Sequence, residues 1–285
     1  MFGFLNVYKP KGKTSHDVVA ILRRVAKIKQ IGHTGTLDPF AEGVLPICIG
    51  KATRLIEYLK DDKAYIGTIQ LGKSTTTYDI EGEVVKESDK TVSQEEIEQS
   101  LNKFRGEIEQ IPPVYSAIKV NGKKLYEYAR KGEEVKIEPR RVNILELKIL
   151  NYDEFNRRLE LYISCSKGTY IRSIANDLGE VLGTYGHLIK LVRVKAGSFE
   201  VDEAIRLEDL ETKEQVEKNL IYPLEYLDFP KYELTGKELE KVSHGMAIQP
   251  AQIIPNGIVV LVKDKKLIAI GNNFDSNIKC SKVFI

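Results

Sequence analysis

The chain has 285 residues, more than one ordinary domain, which predicts a large domain accompanied by a small one. Its formal net charge of +2 does not by itself indicate a nucleic-acid partner. Three scattered cysteines, short apolar runs and no clustered histidines exclude a disulfide framework, a zinc site, a signal peptide and a membrane span. These features predict a folded cytoplasmic protein without a metal.

The first elements of the chain show clear periodicity. A helix is expected to begin at Thr14 or Ser15, where a hydroxyl can cap it. Its apolar positions recur at the helical spacing and are Val18, Ile21, Leu22, Val25 and Ile28. Residues 64–72 then predict a strand.

Helices and strands continue in mixed order. Residues 93–104 predict a helix with a capping box at its start. Alternation of apolar and polar residues over 158–165 predicts a half-buried strand, and a helical stripe follows over 169–178. Thr169 is the expected cap of that helix, which places Arg172 in its first turn. The mixture favours an α+β fold over a doubly wound sheet.

The end of the chain is expected to form the small domain. A proline-marked boundary falls at residues 227–230, after an acidic segment. Within the tail, an apolar stretch interrupted at 263–266 predicts a β-hairpin. We therefore divide the chain into residues 1–229 and residues 230–285.

Residues 32–46, GHTGTLDPFAEGVLP, combine turn formers with ionisable side chains. Its three glycines are expected to allow positive φ and close approach of a ligand, while its prolines stiffen the path. The glycine spacing does not match phosphate-binding loops. Asp38 could be a turn cap and His33 a structural histidine. The density of unusual backbone residues favours a functional site.

Two other segments carry candidate functional residues. Residues 110–132 interleave tyrosines with basic side chains, including Lys119 and Arg130, a combination suited to unpaired RNA. A solvated helix and turn is the alternative for this charged segment. Tyr170 and Arg172 lie at a strand-to-helix corner, where a structural role and a functional role are equally expected.

Taken together, these segments resemble the bacterial TruB-type tRNA pseudouridine-55 synthase family. The similarity extends over nearly the whole chain. The matching segments, in the order typical of the family, are LNVYKPKGKTSHDVV, GHTGTLDPFAEGVLPICIGKATR, KAYIGTIQLGKSTTTYDIEG, QIPPVYSAIKVNGKKLYEYAR, CSKGTYIRSIANDLG and LIKLVRVKAGSF. Thr76 and Val192 depart from the family pattern, where an acid and an arginine respectively are frequent. Both departures concern RNA contacts and not the expected chemistry.

The resemblance implies an α+β fold in two domains. A mixed-sheet pseudouridine synthase catalytic domain would occupy residues 1–229, with an RNA-contacting, thumb-like insertion at 110–135. A small PUA-like, β-rich RNA-binding domain would occupy residues 230–285. The implied activity is isomerisation of uridine 55 in the T loop of tRNA, accompanied by assistance to tRNA folding. The implied partner is the tRNA T stem-loop, with no cofactor, no membrane, no obligatory protein partner and a monomeric state.

The resemblance also assigns roles to individual residues. Asp38 is the implied catalytic nucleophile or base, acting on an extruded uridine. Tyr65 would pack on the base, and its hydroxyl is a candidate for taking the C5 proton. Arg172 would pair with Asp38 and, as an opposite charge, lower its pKa. The residues expected to bind RNA are His33, Tyr170, Leu191, Lys9, Lys119 and Arg130. A plain core leucine remains the alternative for Leu191.

Three alternatives compete with this interpretation. A non-catalytic RNA-binding or RNA-folding protein would explain the basic and aromatic segment. A glycoside hydrolase would need two positioned acids, whereas the sequence singles out only Asp38. The guide-RNA-dependent archaeal and eukaryotic relatives are the rival within the family. The early KPKGKTS motif and the extended segment at 110–135 favour the stand-alone bacterial type.

Overall fold

The structure, a computed structural model, describes residues 1–129, 131–133 and 135–285. These residues form a ten-stranded sheet, a four-stranded sheet and two small two-stranded sheets. The strands are β1 (Gly3–Lys9), β2 (Ile31–His33), β3 (Glu42–Ile49), β4 (Lys63–Leu71), β5 (Lys73–Thr75), β6 (Val84–Glu87), β7 (Gly106–Gln110), β8 (Lys119–Val120), β9 (Lys123–Lys124), β10 (Arg140–Asp153), β11 (Arg158–Cys165), β12 (Gly186–Ala196), β13 (Phe199–Glu200), β14 (Ile205–Arg206), β15 (Lys231–Glu233), β16 (Gly257–Lys263), β17 (Lys266–Phe274) and β18 (Asn277–Val283). The α-helices are α1 (Ser15–Ala26), α2 (Gln94–Leu101), α3 (Leu125–Ala129), α4 (Ile171–Leu182), α5 (Lys213–Lys218) and α6 (Gly236–Ser243).

The large sheet is mixed, which confirms the predicted α+β class. Its main path runs β14-β1-β3-β12-β4-β11-β10-β7. At its centre β12 pairs in parallel with β3 and antiparallel with β4. Three segments that are distant in sequence therefore meet at one place in the sheet, and this place carries the site described below.

Local sequence signals explain where the helices begin. Thr14 caps α1 as predicted: its Oγ1 accepts from the backbone N–H of Asp17, and the Asp17 carboxylate accepts from the backbone N–H of Thr14. The predicted cap of α4 is wrong. The cap residue is Tyr170, because the hydroxyl of Thr169 donates instead to the carbonyl of Ser166. The apolar stripe of α4 is nonetheless buried against the sheet, as predicted.

The four-stranded sheet and α6 make up the β-rich C-terminal part. Its order is β15-β16-β17-β18, and the predicted hairpin between residues 263 and 266 is present. The last residues contact the segment that follows β3: Lys51 Nζ donates to the carbonyl of Phe284, and Arg54 Nη1 to that of Val283. The division at residue 229 stays a prediction. No helix in the described residues is both long enough and apolar enough to cross a membrane.

Candidate active site

A cavity of about 470 Å³ opens beside the centre of the large sheet. This volume is within the range of small-ligand sites. Of the residues singled out from the sequence, five line it, namely Asp38, Tyr65, Tyr170, Arg172 and Leu191. The structure thus brings together side chains that are separated by up to 153 positions in the chain.

The loop between β2 and β3 presents Asp38 because its neighbours are anchored. The buried hydroxyl of Ser15 accepts from the backbone N–H of Leu37 at 2.8 Å and lies 3.1 Å from its carbonyl. On the other side, Lys9 Nζ lies 3.3 Å from the carbonyl of Pro39. The Leu37 side chain is itself buried, which fixes the path of the loop. Asp38 is left with 32% of its side chain exposed, at the cavity.

The glycines of this loop do not all act as predicted. Only Gly43 has positive φ, at +108°, whereas Gly32 and Gly35 have ordinary backbone conformations. A Cβ on Gly43 would lie 2.3 Å from the carbonyl oxygen of Arg193. The close approach that requires glycine is therefore between two strands of the protein and not between the loop and a ligand.

Arg172 joins three segments around the cavity. Its Nε lies 3.0 Å from Asp38 Oδ2, and its Nη2 lies 3.3 Å from Oδ1. Its Nη1 contacts a second acid, Asp79, at 3.2 Å. Further hydrogen bonds run to the carbonyls of Thr77 and Tyr115. Because the Arg172 side chain is only 6% exposed, these contacts fix the orientation of both carboxylates.

The positive charge of Arg172 acts to lower the pKa of Asp38, as predicted, but it does not decide the net direction of the shift. Burial raises the pKa of Asp38, and this effect exceeds the opposing influence of the Arg172 charge. The nearby negative charge of Asp79 also raises the pKa of Asp38. A guanidinium shared between two acids neutralises neither of them fully. The ionised Asp38 is consequently more basic than an exposed aspartate.

Tyr65 and Leu191, from two neighbouring strands of the large sheet, contribute to the cavity wall. Tyr65 lies on β4 with 7% of its surface exposed, and burial raises the pKa of its phenol. Leu191 lies on β12 and is 4% exposed. It both lines the cavity and belongs to the hydrophobic core, so the two alternatives for this residue are compatible. Burial also raises the pKa of Tyr170.

The remaining predicted residues lie away from the cavity lining. His33 ends β2, and burial lowers the pKa of its imidazole, which favours the neutral ring. Lys9 is fully buried and donates to the carbonyls of Pro10, Lys13 and Pro39, so it supports the loop from beneath instead of facing RNA. Lys119 is exposed on β8. Arg130 lies outside the described residues.

Two residues at the site were missed by the sequence analysis. Asp79 ends the segment STTTYD, residues 74–79. An acid that follows a run of hydroxyl side chains was the available signal for a polar site. The side chain of Asp79 is 4% exposed, and its Oδ1 accepts from the hydroxyl of Thr77 and the backbone N–H of Glu81. Arg193 is fully buried beside the loop. The available signal for Arg193 was its position: it comes two residues after Leu191 on β12, so the two side chains lie on the same face of the strand.

These features define a class of protein: an enzyme whose cavity is lined by an arginine-bound carboxylate and an aromatic side chain. The chain belongs to the TruB family of pseudouridylate synthases. The model of the "TruB family pseudouridylate synthase (N terminal domain)" matches residues 23–171, and that of the "tRNA pseudouridylate synthase B C-terminal domain" matches residues 172–227. The resemblance noted in the sequence is confirmed.

Curated relatives match over most of their length. The tRNA pseudouridine synthase B of Clostridium perfringens is 46% identical over 251 residues, covering 87% of this chain and 85% of the relative. That of Geobacillus thermodenitrificans is 44% identical, covering 93% and 92%. That of Streptococcus mutans is 41% identical and covers 99% of both chains. The match therefore includes the C-terminal part.

Solved structures with the same fold come from larger assemblies. One chain from "Structure of H/ACA RNP bound to a substrate RNA containing 2'-deoxyuridine" is 25% identical, with a TM-score of 0.73, covering 100% of this chain and 85% of that one. One from "Crystal Structure of a Cbf5-Nop10-Gar1 Complex" is 26% identical, with a TM-score of 0.74 and the same coverage. The mixed sheet with its β-rich C-terminal part is thus the pseudouridine synthase fold.

Proposed function

We propose that this enzyme converts uridine 55 in the T loop of tRNA to pseudouridine, with Asp38 as the catalytic carboxylate. One observation carries the proposal: Asp38 faces the cavity, is held by Arg172 at 3.0 Å and shares the cavity wall with Tyr65. Relatives named tRNA pseudouridine synthase B, 41–46% identical, support tRNA as the substrate.

The reaction detaches uracil at N1, rotates the base and rejoins it to the sugar through C5. No electrons are gained or lost overall, so the proposal requires no redox cofactor. Asp38 acts in its ionised form, attacking the base or the sugar or removing a sugar proton. Its raised pKa makes it a stronger base, while the Arg172 guanidinium keeps its two oxygens in a fixed orientation.

Tyr65 completes the reaction in this proposal. Its ring offers a face on which the extruded uracil can stack. Its phenol oxygen, after releasing its own proton to solvent, takes the proton from C5 once the new bond has formed. Extruding a stacked base costs a few kcal/mol, which RNA contacts elsewhere must offset. The exposed Lys119 and Lys123 of the β8–β9 hairpin are placed on the surface to make such contacts.

We further propose that the enzyme acts alone, as a cytoplasmic monomer on the tRNA T stem-loop, with its PUA-like C-terminal domain as a second RNA-binding surface. Its identity to the curated tRNA pseudouridine synthases is 41–46%, against 25–26% to the chains from the ribonucleoprotein and Cbf5-Nop10-Gar1 structures. Assistance to tRNA folding is proposed as a second role, supported by the exposed basic hairpin.

The test measures the release of tritium from an unmodified tRNA transcript whose uridines carry tritium at C5. Purified wild-type protein should release tritium without accessory proteins, and a transcript with cytidine at position 55 should release none from that site. Asp38→Asn should lose at least about 10³-fold in rate. Asp228→Asn is a matched control, because Asp228 pairs with Lys60 at an exposed position.

Two results would contradict the proposal. Normal turnover by Asp38→Asn, with deamidation excluded by mass spectrometry, would remove Asp38 from the chemistry. Dependence of the wild-type protein on added proteins would remove the stand-alone role. The folding role is tested on the same Asp38→Asn protein, which should still bind tRNA and accelerate its refolding.

A further inference from the structure

Arg193 is the largest fully buried side chain among the described residues. Its Nε donates to the carbonyl of Val44 at 2.6 Å, and its Nη2 to that of Gly35 at 3.1 Å. Its Nη1 donates to the carbonyl of Thr36 at 3.3 Å. These carbonyls lie on both sides of Asp38 in the chain. One guanidinium therefore joins the two ends of the loop that carries Asp38, by donating to carbonyls on either side of it.

The charge of Arg193 is not neutralised by an acid. Within residues 1–129, 131–133 and 135–285, no carboxylate forms an ion pair with it, in contrast to Arg172 with its two acids. Carbonyl oxygens satisfy its N–H groups but carry no net charge. A buried cation of this kind is costly to desolvate. Its positive charge acts on two residues of the cavity lining, Lys63 and Tyr65, and on two residues outside the lining, Lys9 and His33.

Arg193 and Tyr65 are direct neighbours in the sheet. They are register partners where β12 pairs with β4. The positive charge of Arg193 lowers the pKa of Tyr65 and so favours the phenolate over the phenol. Burial acts in the opposite direction and raises the pKa of Tyr65. Without Arg193, burial would leave the phenolate without a compensating positive charge.

We propose that Arg193 is a positioning residue that closes the Asp38 loop and holds a positive charge beside the Tyr65 oxygen when that oxygen takes the C5 proton. The inference rests on the proposed role of Tyr65. In this step Tyr65, having released its own proton to solvent, accepts the proton from C5. The C–H electron pair forms the C5–C6 double bond, the C6–N1 π pair moves to N1, and N1 takes a proton from solvent.

The test compares Arg193→Lys and Arg193→Met under single-turnover conditions with tRNA labelled by protium or deuterium at C5. Lysine keeps a charge but cannot reach all three carbonyls, whereas methionine removes the charge at similar length. Arg105→Lys is the control, because Arg105 also donates to a backbone carbonyl, that of Leu147, outside the cavity lining. Thermal unfolding and tRNA binding are measured for every variant.

We expect Arg193→Met to lose about 10²-fold in rate and to show a C5 deuterium isotope effect larger than that of the wild type. Arg193→Lys should lose less and show a smaller increase. The rate of Arg193→Met should continue to rise to higher pH than that of the wild type, because its phenol is harder to ionise. A purely structural role would lower the melting temperature or the rate without changing the isotope effect or the pH profile.

An unchanged isotope effect and pH profile in both folded variants would overturn the proposal. If Arg193→Met does not fold, Arg193→Lys alone must still show the enlarged isotope effect. Failure of the proposed pseudouridine synthase function, or of the proposed role of Tyr65, gives a different result. In that case wild-type protein would release no tritium, or Tyr65→Phe would release it at the wild-type rate.

Discussion

Two acids bind one arginine at this site, yet their surroundings suit them to different tasks. The Asp79 side chain is 4% exposed, and both of its oxygens have donors. The Asp38 side chain is 32% exposed and faces the cavity. Environments that differ in this way separate the roles of paired carboxylates. In our proposal Asp79 orients Arg172, and Asp38 is the carboxylate that reacts.

Asp79→Asn should separate orientation from chemistry. Replacing a buried acceptor oxygen by an amide disturbs the Arg172 contact, so the free energy of unfolding should fall by about 1–3 kcal/mol. The single-turnover rate at neutral pH should fall about 10-fold, because Arg172 loses one of its two anchoring carboxylates. Denaturant unfolding and tritium release measure the two effects. The exposed pair of Asp228 and Lys60 provides the control, for which a change below about 1 kcal/mol is expected.

The pH dependence of Asp79→Asn has a defined sign. Asp38 must be ionised to act, and its pKa is raised, so activity is lost as pH falls through a value above the ordinary 3.9 or so. The negative charge of Asp79 contributes to that raised pKa. Its removal should move the acid limb of the rate profile to lower pH. An acid limb that stays in place would show that the two carboxylates are not electrostatically coupled.

At the scale of elements, the site depends on the parallel contact between β3 and β12. Gly43 makes the contact possible, with φ of +108° and the carbonyl oxygen of Arg193 only 2.3 Å from where a Cβ would lie. Any larger residue must push β12 away from the loop. The position of the Arg193 guanidinium, and through it that of Asp38, is therefore set by a backbone contact between strands.

Gly43→Ala should cost both stability and activity. Backbone strain contributes about 1–3 kcal/mol, and the collision with β12 adds about 1–3 kcal/mol. Gly106→Ala is the matched control, since Gly106 has φ of +77° but open space around its Cβ position. Denaturant unfolding should show a clearly larger loss for Gly43→Ala than for the control. Equal losses would mean that the strand contact adjusts without cost.

The sequence predicted the elements better than their contacts. The helix at Ser15–Ala26 and the strand at Lys63–Leu71 were readable because caps and periodicity are local properties. The second acid on Arg172 and the buried Arg193 had local signals, but their partners lie in distant segments, which a local signal does not identify. The net rise in the pKa of Asp38, against the lowering by Arg172, was not predicted for the same reason, because burial is a property of the assembled fold.

At the scale of the whole molecule, aromatic side chains join the catalytic region to the C-terminal sheet. The ring of Phe2 lies 5.6 Å, between centroids, from that of Phe284. The guanidinium of Arg54 lies 5.5 Å from the Phe284 ring. One hydrophobic cluster contains residues of both parts. The β-rich part is thus held at a fixed distance from the cavity.

Phe284→Ala should weaken the packing between the C-terminal sheet and the rest of the protein, with one effect on stability and another on RNA binding. Phe284 is 8% exposed, whereas Phe274 on the same sheet is 72% exposed and serves as the matched control. The loss of packing should lower the free energy of unfolding by roughly 3 kcal/mol for Phe284→Ala and by less than about 0.5 kcal/mol for Phe274→Ala.

The substrate dependence of Phe284→Ala tests whether the fixed distance serves RNA binding. A second binding surface on a loosened attachment has a lower effective concentration, so the KM for full-length tRNA should rise several-fold. An isolated T stem-loop, which reaches only the cavity and its hairpin in our proposal, should be modified with an unchanged kcat/KM. A rise in KM of the same size for both substrates would place the effect of Phe284 at the catalytic site and remove the C-terminal sheet from tRNA recognition.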